Sequence, residues 1–251
     1  MLHELSDRER AILELLADRS FLSVSELARA LRVSEVTVRG DLSALEERGY
    51  LLRARGGAVP AVHRNIIERL RLNTEAKQRI ARKAAELVQD GDRIMIEAGT
   101  TTALIARYLV GRQGVQVVTN SMLAFSYARI TPQLNLILTG GTFWRETESL
   151  VGPVAVQGLV NFNARIAFVG TDGFSVSRGM TTQFAEGAEI VRAMTRRAEI
   201  TWLVADSSKF GKAGFVTVLP LTAVHGIISD AGLSDEAVAS LMELGLEVLR
   251  A

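Results

Sequence analysis

The chain of 251 residues is 48% hydrophobic with a formal net charge of +1, enough apolar material for a substantial core and too little charge for any global attraction to nucleic acid or membranes. Having no cysteine, it excludes disulfides, iron–sulfur ligation, thiol catalysis and cysteine-based zinc sites, and fits a reducing compartment. His3, His63 and His225 lie far apart and in no metal-ligand spacing, so neither a metal nor another cofactor is expected. The opening run MLHELSDRERAILELLADRS interrupts every apolar turn with acids and arginines. It reads as neither signal peptide nor membrane span, and a cytoplasmic protein without a membrane partner is expected.

Residues 7–58 read as short helices, a turn, a longer helix and a Gly-rich hairpin. In SVSELARALRVSEVTVRGDL, residues 23–42, Val24, Leu27, Ala28 and Leu31 share one face of a helix that Ser23 or Ser25 can cap. Ser34 caps a second helix whose Val38, Leu42 and Leu45 face the same core. The connector Arg32-Val33 is so short that the two helices must cross steeply. That is the helix-turn-helix arrangement, whose second helix projects its first turns into a DNA major groove. Its outward residues are Glu35, Thr37, Arg39 and Gly40, with Asp41 close by. Arg39 can fork onto guanine or a phosphate, and Ser34 and Thr37 can bond a phosphate or a base edge. LLRARGGAV then supplies two short strands turning near Gly56-Gly57, a wing that lays Arg53 and Arg55 along the phosphate backbone. The plainer alternative is a helical subdomain with a solvated charged face, since acids and arginines nearly balance before residue 58. The acids, however, lie largely in the first helix and around Glu46-Glu47, while Arg39, Arg53 and Arg55 gather where a groove would pass.

PAVHRNIIERLRLNT, residues 60–74, opens on proline, shows no clear strand and reads as a linker with helical character. The expected domains are therefore 1–58 for DNA binding, 59–74 as linker and 75–251 for effector binding. EAKQRIARKAAELVQ is an amphipathic helix stopped by Gly91, followed by the strand DRIMIEAG. Further strands follow in VQVVTN, NLILTGG, RIAFVGTDG, TWLVADSSK and HGIISDAG, with helix-length segments between several of them. Strands apolar throughout are buried on both faces, which predicts a mostly parallel α/β sheet covered by helices. In such sheets ligands bind beyond the carboxyl ends of the strands.

Those ends carry the candidate ligand groups. Gly99, Thr100, Thr101 and Thr102 stand between a strand and a helix, where backbone N–H groups and three hydroxyls suit a phosphate dianion. Glu97 precedes them; Asn120-Ser121, Gly140-Gly141, Thr171-Asp172-Gly173, and Asp206 with Lys209 follow other strands. Asn and Asp bond sugar hydroxyls, Lys209 neutralises phosphate, and glycines let the backbone approach. Each has a plainer use as a cap, a turn or a solvated lysine. Their convergence on one sheet edge points to a phosphorylated ligand. Glu186 and Glu189 either approach the same place or are exposed helix residues, and the sequence leaves both open.

These residues also carry a resemblance. VSEVTVRGDL, RARGGAV, AGTTT, VTNS, LTGG, VGTDGF and ADSSKFG, in that order along nearly the whole chain, resemble the DeoR family of bacterial transcriptional regulators. The resemblance implies a winged helix-turn-helix domain followed by an effector domain similar in fold to ribose-5-phosphate isomerase, glucosamine-6-phosphate deaminase and the coenzyme A transferases. It implies a response to phosphorylated sugars or related intermediates, usually as inducers; a homo-oligomer, dimer or tetramer, that represses a carbohydrate-utilisation operon from a double-stranded DNA operator and is released by a phosphorylated sugar or sugar alcohol is expected. The look is closest to repressors of sugar-alcohol and amino-sugar utilisation. Two positions depart from the family: Gly40 replaces the usual second basic residue, costing the helix about 1 kcal/mol relative to Ala, and Glu97 replaces the commoner Asp. The rival is a sugar-phosphate isomerase-like enzyme with an accessory DNA-binding domain. Proton abstraction needs a positioned base, and here Phe174 and Ser175, not further carboxylates, follow Gly173. A sensor rather than an enzyme is expected.

Overall fold

The computed structural model describes residues 5–17, 19, 21–48, 50–60 and 64–251. His3, His63 and residues 61–62 of the expected linker lie outside the described residues. The chain forms two compact units, Met1–Arg69 and Leu70–Ala251.

The first unit comprises α1 (Asp7–Ala17), β1 (Leu22–Ser23), α2 (Val24–Leu31), α3 (Glu35–Glu47), β2 (Leu51–Ala54) and β3 (Gly57–Pro60). Of the two serines able to cap α2, Ser23 does so. Its hydroxyl accepts the Glu26 N–H at 3.2 Å while the Glu26 carboxylate accepts the Ser23 N–H at 2.9 Å, a reciprocal capping box. α2 stops at Arg32, which turns left-handed with φ 55, and two residues later the Ser34 hydroxyl caps α3 by accepting the Thr37 N–H at 3.1 Å. Val24, Leu27, Ala28, Val38, Leu42 and Leu45 meet Ile12 and Leu16 of α1 in one core, which brings the two helices to a common apolar seam. The wing differs from its expected form in two respects. It is a three-stranded antiparallel sheet in the order β1-β3-β2, and its turn is Arg55–Gly56, with Gly57 already in β3. A side chain at Gly57 would place its Cβ 2.1 Å from the Leu22 carbonyl oxygen, so glycine there lets β1 close on β3.

Where a linker over 59–74 was expected, Val59 and Pro60 belong to β3, and α4 (Arg64–Arg71) spans the division between the units at residues 69 and 70.

The second unit runs α5 (Thr74–Glu86), β4 (Arg93–Ile96), α6 (Thr102–Arg107), β5 (Gln116–Thr119), α7 (Met122–Ala128), β6 (Asn135–Leu138), β7 (Thr142–Trp144), β8 (Ser149–Val151), α8 (Pro153–Val160) and β9 (Ala164–Val169). It continues through β10 (Gly173–Ser175), β11 (Gly179–Thr182), α9 (Ala185–Arg197), β12 (Ala198–Val204), β13 (Val216–Leu219), β14 (Gly226–Ser229), α10 (Asp235–Met242) and β15 (Glu247–Arg250). Seven strands pair in parallel in the order β15-β14-β12-β9-β4-β5-β6. Ile94, Met95, Ile96, Ile166, Ala167 and Phe168, neighbours on the central pair, are all buried, as strands covered on both faces must be. The antiparallel hairpin β7–β8 and a second small sheet, β10-β11-β13, stand apart from this sheet.

The chain lays β5 and β6 to one side of β4 and then crosses to place β9 on the other. The strand order thus reverses between β4 and β9, the point at which an open parallel sheet forms a crevice beyond its carboxyl ends. At the opposite end the same two strands are clamped by Arg165, whose guanidinium binds the Asp92 carboxylate, with Nε to Oδ1 at 2.6 Å, and the Leu87 carbonyl at 2.8 Å. Burial pushes the Asp92 carboxyl up, but the Arg165 hydrogen bonds and the Gln89 N–H hold it below its ordinary range. No helix among the described residues is long and apolar enough to cross a membrane.

Candidate DNA interface and effector site

On α3 the expected outward residues are placed as follows. Ser34 and Arg39 are exposed and Thr37 is half-buried, with the Ser34 and Thr37 hydroxyls 2.8 Å apart. Arg39 lies back along its own helix against Glu35 at 2.7 Å, and with both side chains about half exposed this i,i+4 pair contributes little stability and opens cheaply. Asp41, close by the outward set, is bound by Arg8 of α1 through two nitrogens at 2.6 and 2.9 Å. The wing is tied to the helix: the Arg53 backbone N–H donates to Glu46 at 2.9 Å and its guanidinium to the Ser43 hydroxyl at 3.2 Å. Arg55 stands exposed at the tip. The sequence reading passed over Val36, which is 74% exposed in the first turn of α3. Its signal was an apolar residue out of phase with Val38, Leu42 and Leu45; an exposed apolar group there suits a thymine methyl. Around Gly40 a Cβ would meet nothing within 4 Å.

In the second unit every candidate loop follows the carboxyl end of a parallel strand, so the sheet itself brings them to one edge. The first and fourth meet at the switch point, where buried Glu97 reaches across and accepts the Gly170 N–H at 3.0 Å through Oε2. Thr100 and Thr101 are buried as residues. Thr102 corrects the expectation of three open hydroxyls: it is fully buried and its hydroxyl donates inward to the Gly99 carbonyl at 3.2 Å. Gly99 is needed for that fold-back, since a Cβ would stand 2.8 Å from Thr102 Oγ1.

Asn120 and Ser121 act on the scaffold. The Asn120 carboxamide accepts the Ala98 N–H at 3.0 Å and donates to the Leu150 carbonyl at 3.2 Å, while Ser121 caps α7 by accepting the Ala124 N–H at 3.1 Å. Gly141, at φ 116, is exposed, yet a Cβ there would stand 2.7 Å from the Val151 carbonyl oxygen, so glycine lets β8 approach. Asp172 Oδ2 accepts the Thr182 hydroxyl at 2.9 Å and the Gln183 N–H at 3.0 Å, and Gly173 lets the Lys212 carbonyl approach. Lys209 is half-buried on the turn Ser207–Lys209, which buried Asp206 caps and Asp230 braces. Burial raises the Asp230 carboxyl, but the Ser207 and Gly232 N–H groups and the Ser207 hydroxyl overcome this and hold it below its ordinary range. Glu189 is exposed and Glu186 half-buried in α9. Lys77, 5% exposed on α5, is a buried cation one turn beyond Asn73, whose carbonyl accepts the Lys77 N–H at 2.9 Å and whose side chain binds Asp206. It could have been seen as a lysine in phase with the buried stripe Ile80, Ala81 and Ala84.

A winged helix-turn-helix unit joined to a parallel sheet with polar loops at its switch point defines a ligand-sensing, DNA-binding regulator. Residues 8–62 match the DeoR-like helix-turn-helix domain, and residues 72–231 match the DeoR C terminal sensor domain. The chain belongs to the DeoR family of transcriptional regulators; it is a regulator and not an enzyme. It is 32% identical, over 97% of its length and 93% of the relative's, to a protein of Escherichia coli O157:H7 assigned as the aga operon transcriptional repressor. It is 34% identical, over 97% of both chains, to the HTH-type transcriptional regulator GlpR of Haloferax volcanii. Among solved structures, ribose 5-phosphate isomerase A from Methanocaldococcus jannaschii is 22% identical over 55% of each chain, with a TM-score of 0.42. The fold class stands on the sheet order itself.

Proposed function

We propose that this regulator represses a carbohydrate-utilisation operon in the cytoplasm and is released from its double-stranded operator by a phosphorylated sugar or sugar alcohol. A homo-oligomer, dimer or tetramer, presents one α3 and one wing to each half-site. Ser34, Thr37, Arg39, Arg53 and Arg55 contact phosphates and base edges. In the sensor unit Thr100, Thr101, Lys209 and the backbone around Gly99 and Gly173 hold the phosphate and its sugar. Glu97, Asn120, Ser121, Gly141, Asp172 and the inward-turned Thr102 shape and brace that site. The observation that carries the reading is the Glu97–Gly170 contact at the β4–β9 switch point, which sets the Thr-rich loop and the Thr171-Asp172-Gly173 loop side by side. The ligand must bind the DNA-free state more tightly than the DNA-bound state to act as inducer.

A melting-temperature screen with sugar phosphates, paired with operator titrations, tests this. Arg39→Ala or Arg53→Ala is expected to weaken DNA binding and leave ligand-induced stabilisation intact, and Thr101→Val to do the reverse. Loss of both activities in both classes of variant would overturn the assignment.

A further inference from the structure

We propose that Asn73 is the positioning residue through which ligand capture acts on α4, the helix that leads the chain out of the sensor unit; the idea rests on the effector reading above. The chain passes from α4 to α5 through Leu72 and Asn73. Asn73 takes a left-handed backbone, φ 53, a conformation asparagine tolerates better than most residues. Although it precedes α5, its side chain makes no capping hydrogen bond to that helix. Instead its amide donates to Asp206 Oδ1 at 2.8 Å and to the Ser208 hydroxyl at 3.3 Å.

Asp206 is buried, and the same Oδ1 also accepts the Ser208 N–H at 3.2 Å and the Ser208 hydroxyl at 2.5 Å. One carboxylate oxygen therefore holds both the turn that presents Lys209 and the connector that ends α4. On the far side of the connector, the Thr74 hydroxyl donates to the Leu70 and Arg71 carbonyls, each at 3.0 Å, and closes the last turn of α4. A shift of the Ser207–Lys209 turn toward a bound phosphate strains or releases the Asn73 bonds. The end of α4 follows, because Asn73 and Thr74 are adjacent in the chain. Asp206 was an effector candidate and residues 60–74 a linker on the sequence; the carboxamide joins the two.

Two variants of the full-length protein isolate the link. Asn73→Gly keeps the left-handed backbone and deletes the carboxamide, and Asn73→Asp keeps the shape but sets a like charge against Asp206. By hydrogen exchange without ligand, the backbone amides of residues 70–77 are expected to exchange at least about fivefold faster in both variants. Unchanged exchange overturns the proposal. Operator affinity is then measured with and without triose, pentose and hexose phosphates, inorganic phosphate serving as the minimal probe. The ligand-induced change in wild-type affinity, about 5- to 150-fold for a coupling of ordinary size, is expected to fall toward onefold in both variants, while ligand still raises their melting temperature. Retention of the wild-type ratio overturns the proposal, since a merely structural residue would lower stability and leave that ratio unmoved. If no compound stabilises wild-type protein or changes its operator affinity, the effector reading fails, and the exchange rates still decide whether Asn73 holds α4.

Discussion

Gly40 stands in the middle of α3 with nothing within 4 Å of the Cβ it lacks, so the helix bears glycine's backbone entropy cost without any packing return. Gly40→Ala is expected to stabilise the DNA-binding unit by about 0.5–1 kcal/mol, read as a higher denaturant midpoint at unchanged slope. Gly40→Arg should instead steepen the salt dependence of operator binding by about one unit, as one added phosphate contact does. Arg39→Ala is expected to cost about 1–3 kcal/mol of discrimination if its guanidinium pairs with a guanine, measured as a narrowed ratio between operator and mutated-operator affinities. Ser34, Thr37 and Arg39 were legible in the sequence because a cap and a 3.6-residue period fix which positions face outward. Thr102 was not, since its direction depends on the Gly99 carbonyl folding back beneath it. The partner of Asp41 was not legible for a similar reason: Arg8 lies 33 residues away on another helix.

Elements with a strong local signature were the legible ones. α2 and α3 announce themselves through serine caps and apolar phase, and the parallel strands through unbroken apolar runs. β1, with two residues, and β7 and β8, with three each, are too short to show a period and are defined by the strands they pair with. α4 read only as helical character in a linker because its neighbours on both sides carry turn signals. Ser34→Ala is expected to destabilise the first unit by about 1 kcal/mol through an uncapped α3. Gly57→Ala should do more, since its Cβ would stand 2.1 Å from the Leu22 carbonyl oxygen; the expected result is a wing detached from β1 and weakened operator binding in a gel-shift titration.

Across the molecule, the sheet order was the part the sequence could not supply: alternation of strands and helices implies a parallel sheet, but not that β4 and β9 are neighbours. That adjacency is held at the amino ends by Asp92 and Arg165. Asp92 and Asp230 both titrate below their ordinary range when folded, so their contribution is present above the unfolded value of about 3.9 and is lost as pH falls through the folded values. The sensor unit is expected to keep its melting temperature between about pH 7 and pH 5 and to lose it steeply below about pH 4. Asp92→Asn should lower the neutral plateau and flatten that acid limb, as followed by calorimetry. The same clamp has an evolutionary corollary. With the strand pair fastened from beneath, the loops above it can vary without unseating the sheet, but Glu97 with Gly170 and Asn120 with Ala98 knit three of them together, so a new inducer calls for those loops to be exchanged as a set.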